Sequence, residues 1–324
     1  MTMRRYIYNT LHPEIYHGHN RRPPFFEGWY YKLVDAHAQT AWAIIPGIYK
    51  GINPQHSQAF IMTLDGRTHQ ATFHAFPLDA FHAHPDQFDI LIANNHFTAN
   101  SLALALPNLH GQLTFTHQTP WPVRWHSPGI MGWYAWVPME CYHGLVSMDH
   151  QLHGHLTTPD GVIDFEGGRG YLEKDWGQSF PQTWIWLQAN HFDTVGTSVT
   201  ASIARIPFYG TVFPGFIIGL WHQGTLHRFT TYVGAKLQKV AVTPHDVTII
   251  VRNRTHQLTL TAQRGPTALL HMPTKKEGMV PAVNESVGAT VTLQLHTNTG
   301  QLLYESNSPH AGLEIEGDID ILIV

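Results

Sequence analysis

Apolar and polar positions along this chain recur with a period of two far more often than with a period near 3.6. Segments such as SQAFIMTLDG, HFTANSLALAL, GQLTFTHQT, HQLTLTAQR and ATVTLQLHT put apolar side chains on alternate residues, as a half-buried β-strand requires. Continuous apolar runs such as AWAIIPGIYKG and GFIIGLWHQG read as strands covered on both faces. Gly, Asn, Asp and Pro separate them, with turn chemistry at Asp65–Gly66, Asp160–Gly161 and Asn298-Thr299-Gly300. About eighteen such runs at hairpin spacing predict an all-β fold of antiparallel meanders, closed as barrels or sandwiches, with little helix. Two stretches break the rhythm. Residues 118–138, rich in Pro and Trp, predict a long loop or lid, and residues 265–288, rich in Gly, Pro and Lys, predict irregular chain. A Gly/Ser/Pro turn at Gly177–Pro181 sets the expected boundary between an N-terminal β domain over 1–178 and a C-terminal β domain over 179–324. Both open on an aromatic strand, GWYYKL and TWIWLQ, a hint of duplication.

The chain has 324 residues, 43% of them hydrophobic, enough for a sizeable core. Only 13% are charged, about half the usual share, and 25 histidines supply much of the polarity. With a net charge of −4 and no basic run, nucleic acid is not an expected partner. Cys141 is the single cysteine, so no internal disulfide is expected. The start, MTMRRYIYNTLHP, lacks the apolar core of a secretory signal, and no apolar run approaches the ~20 residues of a membrane span. The expectation is a cytoplasmic protein without a transmembrane segment. Three H-x-H pairs, His17/His19, His82/His84 and His153/His155, are about what so many histidines produce by chance, and neither a metal nor any other cofactor is expected.

What stands out is GGRGYLEKDWGQSFPQTWIWLQANHF, residues 167–192, where large aromatics and ionisable groups are interleaved. On a strand, Trp184, Trp186, Gln188 and Asn190 share one face, as in the lumen of a ligand-holding barrel, while Ile185, Leu187 and Ala189 take the ordinary packing face. In GRGYLEKDWG, Arg169, Tyr171, Glu173 and Asp175 fall together, opposite Leu172, Lys174 and Trp176. Two carboxylates two residues apart raise one another's pKa when desolvated, and a retained proton is what a general acid needs. Pairing with Arg169 at the surface is the bland alternative. In FFEGWYYKL, Glu27 sits among Phe25, Trp29, Tyr31 and Leu33, either buried with its proton or turned out to water. In PMECYHG, Glu140 and Tyr142 face one way and Cys141 and His143 the other; the thiol reads as packing, and Glu140 as the better catalytic candidate.

Three blocks, FFEGWYYKL, GWYAWVPMECYHGLVS and GYLEKDWGQSFPQTWIWLQANHF, resemble the tocopherol cyclase family in that order and span most of residues 25–192. The resemblance implies two lipocalin-like β-barrel halves packed together, akin to carotenoid hydratases. It also implies a cofactor-independent cyclase of the isomerase class: an alkene of a prenylated quinol or other isoprenoid-like apolar substrate is protonated, and oxygen adds to the cation. On that footing the acid is sought among Glu27, Glu140, Glu173 and Asp175. Substrate contacts are sought among Trp29, Tyr31, Tyr142, Tyr171, Trp176, Trp184, Trp186, Gln188 and Asn190. Collection of substrate through a transient membrane-surface contact fits such a substrate. The competing expectation is a non-catalytic lipocalin-like carrier of an apolar small molecule.

Overall fold

A computed structural model describes residues 2–208 and 211–322. One helix, α1 (Met3–Leu11), precedes the strands; the Thr2 hydroxyl accepts from the Arg5 N–H at 3.3 Å and caps it. The first sheet comprises β1 (Phe25–Val34), β2 (Ala41–Lys50), β3 (Gln58–Asp65), β4 (Gln70–Phe76), β5 (Phe81–Ala83), β6 (Asp89–Ile92), β7 (Asn95–Thr98), β8 (Ser101–Leu106), β9 (Leu109–Thr116), β10 (Cys141–Thr158), β11 (Gly161–Asp164) and β12 (Arg169–Gly177). The second comprises β13 (Trp184–Ala189), β14 (Ser198–Phe208), β15 (Thr211–His222), β16 (Thr225–Thr230), β17 (Lys236–Val242), β18 (Asp246–Arg252), β19 (His256–Gln263), β20 (Ala268–Thr274), β21 (Gly278–Thr297) and β22 (Leu302–Glu316). The recorded pairings are antiparallel, and the fold is all-β and lipocalin-like.

Both sheets trace one path. In the first, β4-β3-β2-β1 meander inward, β1 pairs with the closing strand β12, and β10-β9-β8-β7-β6-β5 run outward again. In the second, β16-β15-β14-β13 lead to the closing strand β22, followed by β21-β19-β18-β17. The aromatic strands β1 and β13 therefore occupy equivalent places, each paired with the last strand of its own sheet. Chain contacts divide the molecule into one unit of Met1–Phe180 with Leu270–Ala282 and another of Pro181–Leu269 with Val283–Val324.

Each sheet encloses its own core. Trp29, Tyr31, Leu33, Phe97, Leu152 and Leu172 anchor the first, and Ile185, Leu187, Val199, Leu260, Leu293 and Leu313 the second. Residues 265–288 are not irregular: they contain β20 and the start of β21, with Lys275-Lys276-Glu277 at the turn. Pro273 and Pro281 in these strands obscured the pattern, because proline removes a ladder donor and reads as loop. Residues 118–138 form no extended strand and end in a 3₁₀ turn at Gly132–Trp136.

Gly177 ends β12 at φ 155°, pairs with both Phe26 and Cys141, and a Cβ there would lie 2.2 Å from the Glu140 carbonyl oxygen. Gly177→Ala is expected to lower stability by about 1–3 kcal/mol in urea denaturation, since neither backbone neighbour can retreat without breaking the ladder.

Candidate active site

Strand β12 carries buried ionisable groups on both faces. On the core face, Lys174 is fully buried and its ammonium meets three acceptors: Glu27 Oε1, the Ile15 carbonyl and His17 Nδ1 at 3.0 Å. Three protons with three acceptors define a charged lysine. The Glu27 carboxylate, also fully buried, takes the His17 backbone N–H at 2.9 Å (Oε2) and 3.1 Å (Oε1). Burial alone would push the Glu27 carboxyl up, but the Lys174 ammonium holds it below its usual range. Burial and the Lys174 charge push His17 down, so its ring is neutral. Its Nε2–H donates to the Asn9 carbonyl at 3.1 Å, which leaves Nδ1 to accept from Lys174. The ammonium also lies over the Trp29 and Trp176 rings, 4.7 and 4.6 Å from their centroids. The expectation of a buried, proton-bearing Glu27 therefore fails: the carboxyl is buried but ionised. Its partners stand 10 and 147 residues away in sequence, beyond the reach of strand periodicity.

On the other face, β10 lies beside β12 with His143 opposite Asp175 and Leu145 opposite Glu173. His143 Nδ1 is 2.9 Å from Asp175 Oδ1, and Nε2 is 3.3 Å from Glu173 Oε2. The Tyr171 hydroxyl donates to the same Glu173 oxygen. Burial would lower the His143 pKa, but the two carboxylates outweigh it and hold the ring well above its ordinary value. At neutral pH this is an imidazolium between two carboxylates. Arg169, which the bland reading would have given to these acids, pairs instead with Asp149. The three groups offer ligand atoms within 4.8 Å of one another, so among the described residues they are also the grouping that could hold a metal ion.

A small, partly open cleft reaches one residue of each cluster, His17 and His143; Tyr6 and Asn9 of α1, Tyr142 and Trp176 are also among its walls. The Trp176 ring stacks with His17 at 4.4 Å and with Tyr142 at 5.4 Å. Tyr142 is held by its hydroxyl, which donates to the Val137 carbonyl and accepts from the Met139 N–H, each at 3.0 Å.

The remaining candidates lie elsewhere. Glu140 accepts from Ser179 Oγ at 2.9 Å and pairs with Lys275; it is not brought to the cluster, whereas His143, not among the candidates drawn from the sequence, is. Trp29 donates to the Glu14 carbonyl at 3.2 Å, and Tyr31 is a core residue among Phe88, Phe97 and Phe115 whose hydroxyl donates to the Thr98 carbonyl at 2.8 Å. In the second unit the expected lumen face is inverted. Ile185, Leu187 and Ala189 line the core, so Trp184, Trp186 and Gln188 lie on the opposite face of β13, buried nonetheless, with Asn190 buried just beyond the strand. Trp184 Nε1–H donates to Glu314 Oε2 there at 2.7 Å. Alternation identified the two faces of β13 correctly but could not say which one the sheet closes around.

A lipocalin-like all-β chain with buried acid–base groups on its closing strand defines the class. The sequence profile of the tocopherol cyclase-like family matches residues 112–317, and the chain belongs to that family. It is 26% identical over 197 residues to the "Probable tocopherol cyclase, chloroplastic" of Oryza sativa subsp. japonica, a match covering 57% of this chain and 42% of that protein. The chain thus spans under half the length of that relative. Among solved structures it is similar to CghA bound to Sch210972, with TM-score 0.60, 10% identity, and 91% and 89% of the two chains covered. It is also similar to kievitone hydratase from Nectria haematococca, with TM-score 0.52, 10% identity, and coverages of 90% and 89%. At these identities the structures establish the fold alone.

Proposed function

We propose that the protein is a cofactor-independent acid catalyst that closes a ring on a prenylated quinol or a similar isoprenoid-like apolar substrate. The observation that supports this most is the placement of His143 between Glu173 and Asp175, whose charges favour a proton on the ring. In the proposed reaction the His143 proton passes to Glu173, whose neutral carboxyl protonates the substrate alkene. The cluster is then left with two carboxylates facing the cation, and its negative charge opposes the positive charge formed. The phenol oxygen adds to the cation and loses its proton, which returns to His143, so acid is neither consumed nor produced. The rings of Tyr142 and Trp176 supply apolar walls, and Tyr171 orients Glu173 through its hydroxyl.

Incubation with short prenylated hydroquinones tests the reading. A product of unchanged mass supports ring closure, a product heavier by one water makes the enzyme a hydratase, and tight binding without turnover makes it a carrier. The acid must be protonated, so kcat should hold at neutral pH and fall as pH rises through the raised His143 value, on the alkaline side of 6.5. Asp175→Asn removes one of the charges that holds the proton, and should move that limb toward lower pH. The same shift has a stability counterpart: the contribution of His143 is fully present below its unfolded pKa and is lost as pH rises through the folded one.

A further inference from the structure

The mouth of the cleft has a surface that the reaction does not explain. Residues 122–126, PVRWH, are all exposed, and Trp125 and Trp133 show 62% and 46% of their surface to solvent. Two large indoles left in water on a short loop are unusual in a chain whose other tryptophans can be buried. Each is packed against a neighbour: the Trp133 ring stacks on Tyr134 at 4.0 Å, the Trp125 and Trp136 rings lie 4.8 Å apart, and Trp136 Nε1–H donates to the Trp125 carbonyl at 2.9 Å. The Tyr6 hydroxyl of α1 in turn donates to the Trp136 carbonyl at 2.6 Å. The loop and α1 form one surface, and Pro128, Met131 and Ala135 of the loop line the cleft together with Tyr6, Thr10 and Arg21.

The charge of this surface is opposite to that of the chain. Residues 1–25 and 118–138 hold five arginines and one carboxylate, Glu14, a balance of +4 in a protein of net −4. Arg5 is paired with Asp86, and Glu14 lies against His12. Arg4, Arg21, Arg22 and Arg124 are exposed and set the sign of the surface. Exposed indoles with arginines around them match the two layers of a lipid interface, where amphipathic rings settle at headgroup level and cations meet anionic lipid.

We propose that this face, Trp125 and Trp133 with Arg4, Arg21, Arg22 and Arg124, docks the protein on an anionic membrane surface, with the cleft opening toward the lipid. The assignment rests on the surface alone and holds whatever reaction the buried cluster performs. Because Met131 and Ala135, on either side of Trp133 in the loop, line the cleft, an apolar molecule can pass from bilayer to protein without crossing bulk water.

Sedimentation with large vesicles tests it. The full chain is mixed with phosphatidylcholine vesicles, with or without a third of phosphatidylglycerol. Binding is expected to the anionic vesicles and not to the neutral ones. Raising salt from about 0.1 M to about 0.5 M should weaken it several-fold, as the screening length falls from about 10 Å toward about 4 Å. Trp125→Ser with Trp133→Ser should lower the partition coefficient at least tenfold. Independently, Arg4→Ser with Arg124→Ser should lower it by about 25-fold, each arginine near an anionic surface being worth roughly fivefold. Failure of the wild type to sediment with anionic vesicles overturns the proposal, as does wild-type binding by both double variants. A concentration-dependent dimer that dissociates on the tryptophan substitutions, without vesicle binding, would assign the face to a second copy of the chain. The assay reads no turnover, so its failure leaves the proposed chemistry standing, and failure of the chemistry leaves it unaffected.

Discussion

His143→Phe is expected to cut kcat on a prenylated hydroquinone by about 10²–10⁴-fold, the usual worth of a positioned general acid. The ring volume is kept while the proton carrier is lost, and Glu173 and Asp175 are left facing each other across a buried gap. Glu173→Gln should lower kcat to a similar extent by a different route: the amide preserves the hydrogen bond with Tyr171 yet cannot transfer a proton to an alkene. Glu140→Gln is the control. Its partners are Ser179 and Lys275, so its substitution should leave kcat within about twofold, the range left when no group of the reaction is touched. Equal losses in all three would show that the effects are not specific to the His143 cluster, and retention of activity in His143→Phe would remove the proposed relay.

The second large effect is on stability. Lys174→Met should destabilise the protein by about 3–5 kcal/mol in urea denaturation, because Glu27 is then a buried carboxylate without its counter-charge. Adding Glu27→Leu should recover most of the loss, since two apolar side chains satisfy the site as well as a matched pair does. The pH dependence follows from the direction of the Glu27 shift. A carboxyl held below its usual range contributes stability that is present above the unfolded value and is lost as pH falls through the folded one. The acid limb of the stability curve should therefore flatten in the double variant. If the single variant is as stable as the wild type, the ion pair is not a determinant of the fold.

Some of this was open to a reader of the sequence and some was not. Period-two alternation carried the all-β fold and the shared face of Phe25, Glu27, Trp29, Tyr31 and Leu33, because a strand fixes side-chain direction locally. It also put Tyr171, Glu173 and Asp175 on one side of β12. It could not supply cross-strand neighbours. That Lys174 would neutralise Glu27, or that His143 would bridge Glu173 and Asp175, depends on registers between strands far apart in the chain. The helix α1 was missed for a related reason: at nine residues it is too short for its periodicity to stand out, and only Asn9 is buried. Its role in the cleft wall is set by tertiary packing.

The repeated strand path carries one more implication. Where β1 meets β12, the cross-strand neighbours are Trp29 and Lys174; where β13 meets β22, they are Leu187 and Leu313. One architecture has thus been closed twice within a single polypeptide, with a buried lysine at the first junction and a leucine pair flanked by tryptophans and glutamates at the second. The second closure is an internal control, supplied by the chain itself. It shows that a junction of this kind closes without a buried lysine in the second unit, the outcome expected for the first when Lys174→Met is combined with Glu27→Leu.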